Sequence, residues 1–541
     1  MWLLCFQCER EAGGREDTRE ADRNRDPASP HIDRIIRVRS ATFNTLAPGS
    51  RPSYKGSRGR PVTHRTGTVI ALAAIAIATA ALAGRLTAQT GGARPDVIIF
   101  LTDQQRADAF GAAGAEDVRT PTMDRLAREG VLFTRAFATT PQCSPSRAAL
   151  LTGRYPHRTG VMGNTIEGLG GGGAAADRPF SGMSGALDRS LPTLGGVFAA
   201  AGYDTAYFGK WHLGGTPGGY GFETHDSRVN DATLARRVTG FLQKRAADGA
   251  RRPLLLIVSW INPHDIYGVL QAEPPDAQRL TATRLPSNLV DPLEQKPFPQ
   301  RHYLNEDQGR PFVGATEADW RRYRAFYNGL VESVDREIGL VLDALPRRDL
   351  QPITVFSSDH GDLSGAHGLP YKGPAMYEEL IRVPLVVTWP GRIVPARSDV
   401  LVSLIDLLPT LCDLTGVRAP GGADGVSLRP ILEPAASGSV KWTRDTVFGE
   451  YYGKQAWRVP IRMVRTARWK YARYLGYGEE LYDLAADPGE LRNLALDPKA
   501  ASERTRLARE LDDWMRRTGD PFPRLTVTDR SGKVVAIDQM K

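Results

Sequence analysis

A cysteine at the predicted start of a helix is the residue in this sequence best placed to act as a nucleophile. Cys143 opens the segment Cys-Ser-Pro-Ser-Arg, and a helix is predicted over Ser146–Thr152. A thiol at a helix N-terminus beside an arginine, here Arg147, has a lowered pKa and is more readily present as the reactive thiolate. The residues alone leave a second interpretation open, in which the cysteine belongs to a helix-capping turn.

Polar side chains also follow four predicted strands, at the points where those strands end. In an open α/β sheet, ligands bind outside the carboxyl ends of the strands, so we expect these side chains to lie together. Each cluster has a structural explanation of its own, such as helix capping by Asp103; their joint placement predicts a site. The four clusters are Thr102-Asp103-Gln104-Gln105-Arg106, Gly209-Lys210-Trp211-His212, Asn262-Pro263-His264-Asp265 and Ser358-Asp359-His360-Gly361-Asp362.

Two of these clusters carry the ligand types that hold a metal ion. The oxygens of Asp103 and Gln104 suit a hard cation such as Ca²⁺ or Mg²⁺. Asp359 and His360 would complete its coordination shell. A histidine ligand leaves Mn²⁺ and Zn²⁺ open as alternatives.

The remaining polar groups suit a tetrahedral anion. Lys210, His212, His264 and Lys372 supply cationic or proton-donating side chains. A metal ion and lysines stabilise negative charge, and histidines transfer protons. The sequence therefore predicts a site for an oxyanion ester beside a cation.

The elements that position these residues alternate between strands and helices, which predicts an α/β fold with a mostly parallel central sheet flanked by helices. A smaller C-terminal α+β lobe with a short antiparallel sheet is predicted after about residue 440. The predicted strands of the first lobe are Pro95–Thr102, Asp204–Phe208, Leu254–Trp260, Ile353–Ser357 and Pro384–Thr388. Its predicted helices are Pro121–Glu129 (capped by Thr120), Ser146–Thr152, Thr193–Ala201 and Trp320–Leu345. In the second lobe, strands are predicted at Thr446–Glu450, Ile461–Thr466 and Trp469–Tyr474, and a helix at Ala500–Arg517.

The N-terminal region is typical of an export signal preceded by an extension. Residues 1–60 are predicted to be disordered, or to lie upstream of the true start, and 61–90 to be a signal peptide or N-terminal anchor. The apolar run Val69–Ala83 has 15 residues, fewer than the ~20 of a membrane span. We therefore expect a periplasmic or secreted protein without a stable membrane span, unless the signal stays uncleaved. The predicted boundaries of the rest are 93–435 for the catalytic domain, 440–525 for the C-terminal subdomain and 526–541 for a tail.

Composition excludes little but disfavours two classes of protein. The net charge of +9 in 541 residues comes partly from an arginine-rich N-terminus. No basic stripe interleaved with aromatics follows, so nucleic-acid binding is not expected. The CxxC of Cys5 and Cys8 has no second ligand pair, and Cys412 lies in an apolar run as a small hydrophobe. The cysteines therefore predict no disulfide framework.

One motif is long enough to resemble a known family. Cys-Ser-Pro-Ser-Arg followed by Leu-Leu-Thr-Gly-Arg resembles the signature of the type I, formylglycine-dependent sulfatases, and the other clusters follow in that family's order. The resemblance covers roughly residues 94–500, including a stretch at 480–494 that resembles the family's closing hairpin. It implies an alkaline-phosphatase-like fold, a sulfated small molecule or glycan as substrate, and oxidation of Cys143 to formylglycine by a formylglycine-generating enzyme.

The resemblance also implies a mechanism. Hydrated formylglycine is a geminal diol, in which one hydroxyl attacks sulfur and the other then expels sulfate and regenerates the aldehyde. The resemblance assigns a divalent cation, Ca²⁺ ahead of Mg²⁺ or Mn²⁺, to residue 143 together with Asp103, Gln104, Asp359 and His360.

It assigns roles to the other polar residues as well. Arg147 would hold the nucleophile, and Lys210 and Lys372 would neutralise sulfate oxygens. His212 would take the proton of the diol, and His264 would contact the sulfate or the leaving group.

Two departures from the family pattern keep alternatives open. Many members have paired aspartates at the position of Asp103-Gln104, and Asp-Asn at the position of Asp359-His360. The Gln and His variants resemble a subset that includes phosphonate monoester and phosphodiester hydrolases, which is the first alternative function. The second is a non-catalytic carbohydrate-binding relative, which the complete set of polar residues disfavours.

Overall fold

The computed structural model describes residues 94–165, 185–346, 350–434, 442–454 and 457–537. All of them fall in one compact unit that spans Thr87–Lys541. The predicted extension and export signal lie outside the described residues. Within the described ranges, no helix combines the length and apolar character that crossing a membrane requires.

The strands alternate with helices along the first lobe and follow one another in the second. The strands are β1 Val97–Asp103, β2 Val131–Phe133, β3 Ala136–Phe137, β4 Asp204–Gly209, β5 Thr224–Asp226, β6 Leu254–Pro263, β7 Ile353–Ser358, β8 Arg382–Val383, β9 Leu385–Thr388, β10 Ala396–Ser398, β11 Val402–Ser403, β12 Thr446–Lys454, β13 Trp457–Thr466, β14 Trp469–Tyr474 and β15 Gly478–Asp483. The helices are α1 Pro121–Glu129, α2 Cys143–Thr152, α3 Pro156–Thr159, α4 Leu194–Ala200, α5 Asp231–Ala247, α6 Ala277–Ala282, α7 Phe298–Glu306, α8 Glu317–Ala344, α9 Glu378–Ile381, α10 Leu407–Thr415, α11 Arg429–Leu432 and α12 Ala501–Thr518.

The central sheet has eight strands in the order β10-β2-β9-β7-β1-β6-β4-β5. The middle strands β7, β1, β6 and β4 are parallel to one another, while β9 is antiparallel to both of its neighbours. This confirms the predicted mostly parallel sheet.

Both faces of this sheet are covered, which explains why its strands are continuous apolar runs. On β1, Val97, Ile99 and Leu101 belong to one hydrophobic core, and Ile98 and Phe100 belong to the other. The rigid middle of the sheet thus fixes the positions of the polar residues at its end.

The second lobe is a four-stranded antiparallel sheet, β12-β13-β14-β15, with helix α12 packed on one face. Leu507, Leu511 and Trp514 of α12 pack with Val464 and Tyr471 of the sheet. The opposite face of the sheet packs against the first lobe. The predicted α+β lobe is therefore confirmed.

Three details differ from the sequence predictions. Helix α2 starts at Cys143, three residues earlier than predicted, because Pro145 is accommodated in a first helical turn. The predicted cap of α1 is wrong, since the Thr120 hydroxyl accepts from the Gly111 amide (2.8 Å) and makes no capping bond. Asp103 is the last residue of β1, so the helix-cap interpretation of this residue is also wrong.

Candidate active site

The four polar clusters meet at one edge of the sheet because their strands are adjacent and parallel. Thr102 of β1 pairs with Ser358 of β7, and Asp103 pairs with Pro263 of β6. On the other side of β6, Ser259 pairs with Gly209 of β4. The carboxyl ends of these strands therefore deliver their polar residues to one place, as the sequence predicts.

Helix α2 points its N-terminus into this edge and places Cys143 at the centre of the polar groups. The cysteine is fully buried. Its Sγ lies 3.0 Å from Lys372 Nζ, 3.3 Å from His360 Nε2, 3.6 Å from Asp103 Oδ1 and 3.8 Å from Lys210 Nζ. Four residues that are distant from Cys143 in the sequence thus converge on its side chain.

The electrostatics of this position favour an anion. Burial alone would raise the pKa of the Cys143 thiol, but the charges of Lys210 and Lys372 hold it well below its usual range. His360 and a hydrogen bond with His212 act in the same direction. The sequence attributed the lowered pKa to Arg147; in the structure the lysines and histidines cause it.

Arg147 instead holds two buried carboxylates together. Its Nη2 donates to Asp103 Oδ2 (2.9 Å) and its Nε to Asp359 Oδ2 (2.8 Å), and all three side chains are at most 1% exposed. Its Nη1 donates to Ser259 Oγ and to the Lys210 carbonyl. This network fixes the positions of the two acidic side chains.

Hydrogen bonds orient two other side chains that carry potential ligand atoms. The His360 Nδ1 donates to the Gly361 carbonyl at 2.9 Å, which orients Nε2 towards Lys372 Nζ (3.0 Å) and Cys143 Sγ (3.3 Å). Gln104 Nε2 donates to Asp362 Oδ2 (2.7 Å), which leaves its buried Oε1 without a hydrogen-bond partner among the described residues.

These donors fit a divalent cation. Single ligand atoms of Asp103, Cys143, Asp359 and His360 lie within 4.8 Å of one another. Burial and the charge of Asp103 raise the pKa of Asp359, a repulsion that a cation would offset. The unpartnered amide oxygen of Gln104 supplies one more hard donor.

The two remaining histidines lie beside the thiol. Burial and the charges of Lys210 and Lys372 lower the pKa of His264 to about 4, so its ring is neutral near neutral pH. His212 has a left-handed backbone (φ 57°), and its buried Nδ1 has no hydrogen-bond partner in the described ranges. The structure therefore brings every site residue predicted from the sequence into one cluster.

The structure adds residues that the sequence prediction did not include. Lys454 of β12 donates to the carbonyl of Lys372 (3.1 Å) and lies over the ring of Tyr267. Burial and the charge of Lys372 lower the pKa of Lys454 to about 7. Tyr267 also stacks on Tyr371, with ring centroids 4.2 Å apart. These residues carry no local motif, and Lys454 is far away in sequence, so only the packing of the second lobe reveals them.

A glycine at the end of β4 is required for the position of Lys210. Gly209 has φ +91°, and a Cβ there would lie 2.0 Å from the Ser259 carbonyl oxygen. We expect Gly209→Ala to cost about 2 kcal/mol or more of stability and to lower activity, because the backbone carrying Lys210 must move. Thermal denaturation and steady-state kinetics measure both effects.

Gly240 in the interior of α5 is the matched control. A Cβ there meets no atom within 4 Å. Gly240→Ala is expected to be stabilising by about 0.5–1 kcal/mol, with unchanged activity. Equal behaviour of the two variants would contradict the steric argument.

Known proteins share this fold and this arrangement of segments. The chain matches the sulfatase family (Sulfatase) over residues 95–417, and the C-terminal domain of N-sulphoglucosamine sulphohydrolase over residues 365–517. A Delta 4,5-hexuronate-2-O-sulfatase of Bacteroides thetaiotaomicron is 30% identical over 459 residues, which are 80% of this chain and 91% of that protein.

Solved structures agree with the sequence comparisons. A 2-O GAG sulfatase superposes with a TM-score of 0.71 at 30% identity, covering 81% of this chain and 96% of that one. The phosphonate monoester hydrolase of Agrobacterium radiobacter shares the fold, with a TM-score of 0.62 at 23% identity over 82% of this chain and 99% of that one. This chain therefore belongs to the sulfatase family and is a sulfuric ester hydrolase with an alkaline-phosphatase-like fold.

Proposed function

We propose that this enzyme hydrolyses sulfate esters of a glycan, with formylglycine made from Cys143 as the nucleophile and one divalent cation, Ca²⁺, beside it. The observation that carries the proposal is the convergence on Cys143 Sγ of two lysines, a histidine and an aspartate within 3.8 Å. The hydrated aldehyde would supply one hydroxyl that attacks sulfur and a second whose deprotonation expels sulfate.

The two lysines are placed to stabilise the charge of the sulfate group. Lys372 is 4% exposed and Lys210 is 13% exposed, so neither charge is fully screened by water. Lys210 also forms an ion pair with Asp103 (2.8 Å). We infer that both ammonium groups hold equatorial sulfate oxygens as negative charge builds up during attack.

The histidines supply the proton transfers. His212 is the base for the hydroxyl of residue 143, since its ring lies near enough to that side chain to lower the pKa of the thiol. His264 is neutral, and a neutral imidazole can donate a hydrogen bond to the sulfate or to the leaving oxygen. Both histidines lie near the side chain at which these proton transfers take place.

A cation held by Asp103, Gln104, Asp359 and His360 would supply Lewis-acid polarisation of the sulfate oxygens. Arg147 holds the two carboxylates at fixed separation, and Asp362 holds the Gln104 amide. Oxygen donors outnumber the one imidazole nitrogen, which favours Ca²⁺ or Mg²⁺ over softer metals.

A glycan substrate is supported by the relatives that cover most of this chain. Their names describe sulfatases of Δ4,5-hexuronate and of glycosaminoglycans. Tyr267, which is partly exposed beside His264 and is supported by the buried ring of Tyr371, offers an aromatic surface on which a sugar ring can pack. We propose further that the protein is exported through 61–90, that a formylglycine-generating enzyme modifies it, and that 93–435 and 440–525 are its two folded lobes.

A phosphonate monoester hydrolase is the second candidate, because Gln104 and His360 are the variants by which this site resembles the phosphonate monoester hydrolases of the same fold. Gln104 replaces a carboxylate with a neutral amide, so the cation site carries one negative charge less and retains more positive charge for a substrate. Phosphonate monoesters and sulfate esters are both singly charged, so the charge alone does not separate them.

The test combines mass spectrometry with a comparison of substrates. In protein from its native host, the tryptic peptide Ala136–Arg147 is expected to carry an aldehyde (CHO) where the encoded residue has CH₂SH. The purified protein should then show a higher kcat/KM on an aryl sulfate than on the matching aryl phosphonate. A free thiol at position 143 in every copy would exclude the proposed nucleophile, and the opposite substrate preference would favour the second candidate.

A further inference from the structure

A polar cavity of about 450 Å³ lies where the two lobes meet, outside the cluster around Cys143. Its volume is in the usual range of ligand sites. Four arginines from four different segments line it, and we call it the arginine cleft. They are Arg106 after β1, Arg324 on α8, Arg382 on β8 and Arg465 on β13.

Two of the four arginines are neutralised by carboxylates in the cleft wall. Arg106 forms a bidentate pair with Asp108, with both distances 2.7 Å. Arg465 lies 3.3 Å from Glu378, which also binds Lys470 at 2.9 Å. The carboxylate of Glu378 is thus already shared between cations.

The other two arginines are less completely paired: Arg382 shares Glu378 at 3.8 Å and donates to the Thr134 carbonyl at 3.4 Å. Among the described residues, no carboxylate lies within 4.0 Å of Arg324, and its buried Nε has no hydrogen-bond partner. Its one hydrogen bond, to the Ser364 carbonyl, is long at 3.5 Å. Arg382 Nε is likewise without a hydrogen-bond partner there, and lies 3.8 Å from Glu378.

Leaving guanidinium groups incompletely hydrogen-bonded in a partly buried place is costly. Burial and the positive charge of Arg106 lower the pKa of Arg324, which shows that the cations of the cleft repel one another. An anion bound between Arg324 and Arg382 would remove this repulsion and satisfy both free N–H groups.

The carboxylate of Glu379, in the same wall of the cleft, places a second requirement on the ligand. Glu379 Oε1 accepts from Asn288 Nδ2 at 2.9 Å, while its buried Oε2 has no partner in the described part of the chain. A ligand that complements the cleft therefore carries an oxyanion and, next to it, a hydroxyl donor. Sulfated sugars and uronic acids have this combination.

We propose that the arginine cleft is a second anion-binding site, in which Arg324 and Arg382 hold a sulfate or carboxylate group. The anion is either free in solution or attached to a glycan that donates a hydroxyl to Glu379. The glycan source rests on the proposed function, whereas the oxyanion site itself does not.

The cleft adjoins the catalytic residues through the segment after β1. Arg106 follows Asp103 by three residues, so their Cα atoms are at most about 11 Å apart. Arg106 Nη1 also donates to the carbonyls of Asp362 (3.3 Å) and Leu363 (3.0 Å). A group bound in the cleft therefore lies directly behind the loop that carries Asp359 and His360.

The first experiment is diffraction from crystals of the full chain soaked in sodium selenate. We expect an anomalous peak within hydrogen-bond distance of Arg324 and Arg382, and a second peak at Lys210 and Lys372 as an internal control. The cleft peak should disappear in Arg324→Gln, or in Arg382→Gln should the first variant fail to fold. A wild-type crystal with only the catalytic peak would overturn the proposal.

The second experiment separates the two sources of the anion. The affinity for a labelled heparin tetrasaccharide is measured by fluorescence anisotropy in a Cys143→Ala background, with and without Arg324→Gln. Loss of a charge-assisted contact predicts about 10-fold weaker binding. Arg336→Gln, an exposed arginine on the same helix, should leave it unchanged.

The outcomes remain distinguishable from those of the proposed function. A cleft peak with weakened tetrasaccharide binding assigns the site to a glycan group, and a cleft peak with unaltered binding assigns it to a free oxyanion. In the Cys143-containing protein, Arg324→Gln should hydrolyse an aryl sulfate within about twofold of the wild-type rate, because the hydrogen bond that Arg324 makes in the described residues goes to the Ser364 carbonyl, outside the cluster around Cys143. Failure of the wild type to hydrolyse that ester would reject the proposed chemistry while leaving the selenate result intact.

Discussion

Replacing Cys143 by alanine is expected to lower kcat for an aryl sulfate by about 10⁴-fold or more, the usual effect of removing a nucleophile. The thiol-bearing residue lies at the one point that Lys210, Lys372 and His360 all approach. Without it these groups still bind sulfate, so substrate affinity should change much less than kcat. Steady-state kinetics, with sulfate inhibition as the measure of binding, checks both parts.

Cys412 provides a control of the same residue type and the same burial. It lies in α10, and burial together with Asp413 raises the pKa of its thiol to about 11. Cys412→Ala should keep full activity and lose only the stability that one small buried group contributes, about 1 kcal/mol. Near wild-type activity in Cys143→Ala would contradict the mechanism, whatever the result for Cys412→Ala.

The two cysteines also show how far the sequence determines the site. The strand ends and the order of the clusters are local patterns, because polar residues interrupt apolar runs that only a buried strand explains. The helix is predicted as well, but three residues short of its start at Cys143. The parallel sheet follows from the alternation of strands and helices. Chain topology then brings the clusters to one edge, so most of the site could be predicted before any coordinates.

The contacts across the lobes could not be predicted in this way. Lys454 and Arg465 belong to the antiparallel sheet, which has no pattern pointing to the first lobe. Lys454 contacts Lys372 and Arg465 contacts Glu378 only because the two lobes pack together in a particular orientation, which depends on contacts between residues far apart in the sequence.

The role of Arg147 could not be predicted either. Its position close to Cys143 in the sequence indicates an effect on the thiol, whereas in the structure its side chain reaches the carboxylates of Asp103 and Asp359.

Arg147→Met is therefore expected to act on stability as well as activity. The arginine is 1% exposed and pairs with two fully buried carboxylates, Asp103 and Asp359. Removing one partner of such a buried arrangement leaves uncompensated charge and costs about 3–5 kcal/mol. We expect the free energy of unfolding to fall by this amount in the presence of EDTA, measured by urea denaturation.

The loss of unfolding free energy in Arg147→Met should depend on divalent cations, so the experiment also tests whether Asp103 and Asp359 bind one. A cation held by the same two carboxylates would replace part of the positive charge of Arg147, so millimolar Ca²⁺ should recover some of the lost stability. Arg154→Met is the control from the segment that follows the same helix: Arg154 donates to the Gly421 carbonyl and has no carboxylate within 4.0 Å among the described residues. It should change stability by about 0.5 kcal/mol or less, with no dependence on Ca²⁺. Equal losses in EDTA and in Ca²⁺ for Arg147→Met would mean that Asp103 and Asp359 do not share a cation, because an ion bound between them must stabilise the folded state most where the arginine is absent.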